Sequence, residues 1–496
     1  MRRKKASLLP ILFSISVLIG IGQARGATPS TSSQAPTFKV ATQALATKSP
    51  TSQPTQAAPA TSPSQTTAPG TPSQIPALPQ VPTSGPMLRI TVEQAEVLAL
   101  KNNPQISVYH LLSLASGQVT REQRAAYFPT VYGSLTAVDA KEGSRIAAGN
   151  LNNPVVYERA AEGLTLAQLI IDFGRTNNLV AAAALRAKAA DMNALATADQ
   201  IKLAVDQALY NALQTLALQK VAEQTVVARQ LVADQITTLY QNKLRSQLDV
   251  SFATANLSQA KLLLIDAQNN YQAALSTLSS VLGYPAQQQF ELVDTSLPLN
   301  PPTDSVSQLV DQAYSNRPEI ASQGYEVQAS QRFQKAERDL LFPTVEALGL
   351  VGQVPYRPTV NGVQPFTSWY GAVGVNVNIP IFNGFLYPAR SKDASLRAQA
   401  SQEQLRDLKD RIANDVRTSW LNAITAYNRI GVSQQFVDQA NLAVSLSETR
   451  YNLGLSSIVE LSQAQLQQTE AQIQFGAAKY QYRIAQSVLR FQVAAP

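Results

Sequence analysis

The chain has no cysteine among its 496 residues. That excludes disulfides, thiolate metal sites, a cysteine nucleophile and a lipid-modified N-terminal cysteine. Histidine is almost as scarce: His110 is the single one. It sits in a helical stretch and reads as a surface or packing residue. No His-Cys cluster, phosphate-binding glycine loop or GxSxG nucleophile elbow is present. The sequence therefore offers no catalytic, cofactor-binding or metal-binding residue. Long apolar runs are also missing. Past the N-terminus there is no stretch of about 18 apolar residues, so a membrane location would require a β-barrel, because only helices and closed barrels satisfy every backbone group in lipid.

Positive charge on the folded part is missing too, despite a net charge of +7. Five of the positive charges, Arg2, Arg3, Lys4, Lys5 and Arg25, lie in residues 1–26, which hold no acid. Subtracting them leaves 7 − 5 = +2, and Lys39 and Lys48 in the acid-free segment 27–86 account for the rest. Nothing asks for a nucleic-acid partner. Residues 1–26 read as a secretory signal peptide: a basic start, a mostly apolar segment over residues 8–21 that is too short to span a bilayer, then small residues at Ala24 and Gly26. An uncleaved anchor is the competing reading. Residues 27–86 are rich in Thr, Ser, Pro, Gln and Ala, with Phe38 the only aromatic. Such a composition cannot offset its ordering entropy by burial, so a disordered periplasmic tether or plain spacer is expected.

What is present repeats itself. Thr91-Val-Glu-Gln94 and Ser305-Val-Ser-Gln308 are both helix capping boxes, 214 residues apart. Asn102-Asn-Pro-Gln-Ile106 matches Asn316-Arg-Pro-Glu-Ile320 at the same offset, as RAAYFPTV matches RDLLFPTV. Further on the offset is 211: Leu164 and Leu166 match Val375 and Val377, Tyr240 matches Tyr451, Asp249 matches Glu460, and Tyr271 matches Tyr482. Two long copies indicate a duplication and not a short solenoid repeat. The expected organisation is repeat one over residues 87–285, an inter-repeat linker over 286–304, and repeat two over 305–496.

Each copy has the same grammar. A capped helix and a second helix run toward Phe-Pro, where Pro129 and Pro343 stop helical geometry. Extended segments follow. In Val373-Gly-Val-Asn-Val-Asn-Ile-Pro-Ile381 the odd positions are Val or Ile, which predicts a strand with one apolar and one wet face. Then residues 175–282 contain no Gly or Pro. Two helices turning near residues 243–248 would put about 65 residues, roughly 100 Å, in the first. Val205, Leu209, Ala212 and Leu216 follow coiled-coil spacing.

A strand pair per copy gives four strands per chain. Four cannot close a barrel, and open edges are not tolerated in lipid. Three chains would supply about twelve. Val375, Val377, Ile379 and Ile381 would face lipid, and Asn376 and Asn378 a wet lumen. Tyr127, Phe128, Phe342, Phe382, Phe385 and Tyr387 cluster at the helix–strand junctions, as an interfacial girdle or as ordinary packing. Trp369 and Tyr370 could form the opposite girdle.

With the two NxP helices, the two Phe-Pro-Thr-Val junctions, Ile379-Pro-Ile-Phe-Asn-Gly384, and Tyr451-Asn-Leu-Gly454 before Ile458-Val-Glu460, the chain resembles the TolC-type outer-membrane efflux proteins over about residues 88–493. The resemblance implies an α+β membrane protein. In that family a trimeric twelve-stranded outer-membrane barrel continues into a long periplasmic α-helical barrel. It implies a homotrimer in outer-membrane lipid, coupled to a periplasmic adaptor and an inner-membrane pump of RND, ABC or MFS type. The function it implies is a passive exit duct for efflux or type I secretion, not an enzyme, with no cofactor. By motif position Glu460 and Gln463 fall where the family places gate aspartates. Asp249 is the repeat-one counterpart of Glu460, and Tyr451 belongs to the same gate. A solvated carboxylate at a helix turn is the competing reading of both acids. The residue after the tip glycine, often basic in the family, is Ser456 two places on. Lys243, Arg245, Gly454, Leu455 and Ser456 would meet the adaptor, or be plain loop. A secreted trimeric coiled-coil stalk without a pore is the alternative. The alternating strands argue against it.

Overall fold

A computed structural model of the chain describes residues 88–495 except 142, 147–153, 155, 157, 295–298 and 357–368. The expected signal peptide and tether lie outside the described residues. The duplication is visible element by element. Helix α1 (Val92–Asn102) corresponds to α5 (Val306–Asn316), and α2 (Pro104–Arg124) to α6 (Pro318–Asp339). The long helix α3 (Arg175–Gln241) and α7 (Leu386–Asn452) have 67 residues each, about 100 Å. Their partners α4 (Gln247–Val281) and α8 (Ile458–Gln492) have 35 each. Both expected capping boxes form: Thr91 with Gln94, and Ser305 with Gln308.

Four strands form one antiparallel sheet: β2 (Thr130–Val138), β3 (Arg159–Ile171), β5 (Thr344–Tyr356) and β6 (Trp369–Asn378), in the order β2-β3-β5-β6. Pro129 and Pro343 stand immediately before β2 and β5, so each ends the turn that follows its helix. The register sorts side chains by face. Val377 pairs with Val345, Val375 with Ala347, Val373 with Gly349, Val351 with Leu164, and Leu166 with Val131. These lie on one apolar face. Asn376 pairs with Glu346 and Asn378 with Thr344 on the other. The strand is shorter than its alternation suggests. β6 ends at Asn378, so Ile379 and Ile381 lie beyond it. Two causes coincide there: Pro380 has no N–H to donate, and the partner strand begins only at Thr344, after Pro343.

Two strands were not foreseen. β1 (Leu88–Ile90) pairs in parallel with β4 (Phe290–Leu292), which falls inside the segment expected to be a plain linker. Ile90 and Phe290 are buried there against Leu209, Leu278 and Leu282.

Helices α4 and α2 meet end to end beside α3. Asn103 caps α2 through Gln105 N and donates from Nδ2 to the carbonyl of Val281, the last residue of α4, at 3.0 Å. In the second copy Arg317 takes that place, bonding Gln492 Oε1 at 2.7 Å and lying over the Phe491 ring. The helices thus form a wall of four columns, in the order α4 with α2, then α3, then α8 with α6, then α7. Small residues let these columns approach. Ala253, Ala260, Ala267 and Ala274 are buried at heptad spacing on α4, and Ala464, Ala471 and Ala478 repeat the pattern on α8. A seven-residue period gives the left-handed supercoil of packed long helices.

All four long helices end in the same motif, with a left-handed residue accepting the role usually given to glycine. These are Lys243, Gly283, Gly454 and Ala494, with φ of 62°, 83°, 74° and 49°. Gly283 is the most constrained, because a Cβ there would stand 2.6 Å from the Asn102 carbonyl oxygen.

Two outcomes follow. Gly283→Ala destabilises the protein by about 2 kcal/mol or more, combining left-handed strain with a backbone clash; thermal melting of the purified protein checks it. The second concerns Glu96 on α1. Burial, then the adjacent Asp206 carboxylate on α3, push its pKa up from 4.5 to about 7, against Lys202 and Arg490. The unfolded chain releases this proton near 4.5 and the folded chain holds it to about 7, so stability falls as pH rises through that window. Melting temperatures recorded across the same window decline in the wild type, and Glu96→Gln flattens that part of the slope.

Candidate functional site

The free ends of the two hairpins, the α3–α4 turn and the α7–α8 turn, carry the residues singled out by sequence. Both turns have the same backbone. Lys243 N donates to Tyr240 O and Leu244 N to Leu239 O; Gly454 N and Leu455 N make the matching bonds to Tyr451 O and Arg450 O. Lys243 therefore adopts a glycine-like conformation that Gly454 adopts freely. Leucine side chains project from both turns: Leu244 and Leu455 are about two-thirds exposed.

The side chains are not equivalent. Tyr240 is 40% exposed, whereas its counterpart Tyr451 is 4% exposed. One contributor to the difference is a single side chain. Arg245 corresponds to Ser456 in the other copy. Its guanidinium lies 4.1 Å from the Tyr451 ring centroid, and its Nη2 donates to the Tyr451 carbonyl at 2.9 Å. An arginine of one hairpin thus covers a tyrosine of the other. Burial pushes the Tyr451 hydroxyl pKa up, with the Arg245 charge opposing and the Asp249 charge adding. The hydroxyl stays neutral and, among the described residues, has no hydrogen-bond partner. Around it Ile236, Leu257, Ile458 and Leu461 close a small core that joins the hairpins.

Asp249 and Glu460 occupy the same third position of their helices. Asp249 accepts from Ser246 N at 3.1 Å and Ser246 Oγ at 2.9 Å, and its own N–H donates to Ser246 Oγ, so it completes a capping box. Glu460 keeps its carboxylate outward, 3.6 Å from Arg450 Nη1, both side chains substantially exposed. Such a pair contributes little to stability, which leaves the Glu460 charge facing solvent. Gln463 is one turn further along α8 and lines a groove over α3. The structure therefore brings Arg245, Tyr451 and Asp249 together and leaves Glu460 and Gln463 on a neighbouring surface.

Two further cross-hairpin ties were not legible in the sequence. Asn256 Nδ2 donates to Ser462 Oγ at 2.7 Å. Arg229, buried on α3, donates from Nη2 to the Gln465 carbonyl at 2.8 Å and to Thr469 Oγ1 at 3.3 Å. A signal did exist for Arg229. It is the only charged residue in the buried series Thr225, Arg229, Ala233 and Ile236.

At the opposite end, aromatic side chains pair where helix meets strand. Phe173 and Phe342 rings are 5.6 Å apart, and Phe382 and Phe385 meet edge to face at 5.5 Å. Tyr127, Phe128, Phe382 and Phe385 remain exposed, as do Trp369 and Tyr370 at the far end of β6.

Comparison with known proteins agrees with this architecture. The family model described as outer membrane efflux protein matches residues 97–284 and 309–494, one match for each copy. The outer membrane protein TolC of Salmonella enteritidis is 24% identical over 354 residues, 68% of this chain and 70% of that protein. The outer membrane efflux protein BepC of Brucella suis is 23% identical over 401 residues, 80% of this chain and 84% of the relative. Among solved structures, the outer membrane protein VceC of Vibrio cholerae superposes with a TM-score of 0.68 at 17% identity, covering 81% of this chain and 95% of that one. With both copies matched over nearly their whole length, the chain belongs to the outer membrane efflux protein family.

Proposed function

We propose that this outer membrane efflux protein works as a homotrimeric exit duct, in which three chains close both a twelve-stranded barrel and a helical tunnel. One observation carries the reading: sheet and helical wall are left open at the same two sides. The β2 edge continues from α2, and the β6 edge leads into α7. On the helical wall α2 and α7 are likewise at the open sides. Both open sides are apolar. Val108, Leu111, Leu112 and Leu114 are more than half exposed on α2, as are Leu421, Val432, Leu442 and Leu446 on α7. A single rotation joining α7 and β6 of one copy to α2 and β2 of the next satisfies both layers, which is head-to-tail ring closure. The same four strands put Val375 and Val377 on the face suited to lipid and Asn376 and Asn378 on the face suited to water.

The duct is passive and has no chemical step. Its partners are a periplasmic adaptor and an inner-membrane pump of RND, ABC or MFS type. The exposed leucines of the tips, with Lys243, Arg245, Leu455 and Ser456 beside them, suit an adaptor. The gate lies at the same end. Arg245 over Tyr451 latches the two hairpins, while Glu460, carried once per chain, would form a threefold acidic ring that favours cations.

Fractionation tests the assembly: the protein sediments with outer membranes and runs as a detergent-stable trimer, whereas a folded monomer without affinity for lipid would end the reading. Planar-bilayer recording tests the gate. Arg245→Ala raises open-state occupancy about tenfold, as expected for losing about 1.4 kcal/mol of cation–π and hydrogen-bond contact. In the same recordings Glu460→Gln lowers cation preference. Unchanged ion selectivity would remove Glu460 from the constriction.

A further inference from the structure

The groove over α3 encloses about 550 Å³ between α4 and α8. Its walls are apolar where Phe252 and Leu263 of α4 face Leu466 and Ile473 of α8. Its floor carries Arg229, which is 8% exposed. That guanidinium spends one nitrogen on the Gln465 carbonyl and Thr469 hydroxyl. Among the described residues no carboxylate lies within ion-pair distance of it, and its other N–H groups have no acceptor. Burial lowers its pKa from the ordinary guanidinium value, yet a guanidinium remains charged at any physiological pH. A mostly buried cation with no carboxylate within ion-pair distance is costly, and a cleft of this size with largely apolar walls has the form of a small-molecule site.

We propose that the groove binds an amphipathic monocarboxylate of medium chain length, its carboxylate on the free N–H groups of Arg229 and its tail between Leu263 and Leu466. The fork of the guanidinium suits a carboxylate by charge and by geometry. Glu470, which also lines the groove, accepts from Gln474 Nε2 at 3.1 Å, and its charge sets an upper limit of one negative charge on the ligand. α4 belongs to the first hairpin and α8 to the second. A bound tail bridges them and holds the groove at a fixed width. This site does not depend on the gate reading or on the trimer.

The test uses the full chain in phosphatidylcholine nanodiscs and decanoic acid bearing a terminal diazirine. The expected result is saturable photolabelling of the peptides containing Leu263 and Leu466, displaced by decanoate and not by decyltrimethylammonium. Arg229→Met lowers labelling at least tenfold, while Arg229→Lys, which keeps the charge and loses the fork, lowers it by less than Arg229→Met. Leu466→Trp fills the groove from an exposed position without touching Arg229 and also lowers labelling at least tenfold. No labelling of these peptides, no displacement by decanoate, or equal labelling of the wild type and Leu466→Trp would each overturn the proposal, including the case where a neighbouring copy covers the groove.

Discussion

Among the described residues, no strand pairs with the outer edge of β2 or of β6. In lipid the backbone groups of such an edge cannot fall back on water, and every other feature of the molecule answers that constraint. Duplication doubles two strands to four. The helical wall beneath is open on the same sides and exposes apolar side chains there. A sheet whose β6 is exposed on both faces, with Val373 93% accessible, is not the core of a lone globule. It is a segment of something larger.

Duplication also shows how much side-chain change one backbone can absorb. Left-handed residues recur at matched positions: Phe173 with Gly384, Gly174 with Phe385, Lys243 with Gly454, and Gly283 with Ala494. Each pair has glycine in one copy and another residue in the other. The hydrogen-bonded helix ends hold the conformation even where the residue is unfavourable, at roughly 1–2 kcal/mol each. At the tips Arg245, whose counterpart is Ser456, covers Tyr451 together with the apolar cluster around it, while Tyr240 stays 40% exposed.

Much of this was legible in the sequence, for identifiable reasons. Capping boxes at Thr91 and Ser305 are local chemistry, and local chemistry survives folding. The Gly- and Pro-free run forced long helices, and the Val/Asn alternation set the faces of β6. Elements without a period stayed hidden. β1 and β4 have three residues each, too few for alternation to register. The alternation also overran its strand, since Ile379 and Ile381 keep the pattern after the partner strand has stopped. Tyr451 and Arg245 were both noticed, one as gate and one as docking tip. Their contact joins residues 206 apart in sequence, and only the fold could supply that neighbour.

The short pairing of β1 with β4 decides where the polypeptide enters its fold. Ile90 is buried against Leu209, close to the midpoint of the 67-residue α3 and so about 50 Å from either end of that helix. Leu88, the first described residue, thus stands at the waist of the column. A pull applied at Leu88 would bear on the middle of the helical wall, with the sheet and the tips lying a half-length away on either side.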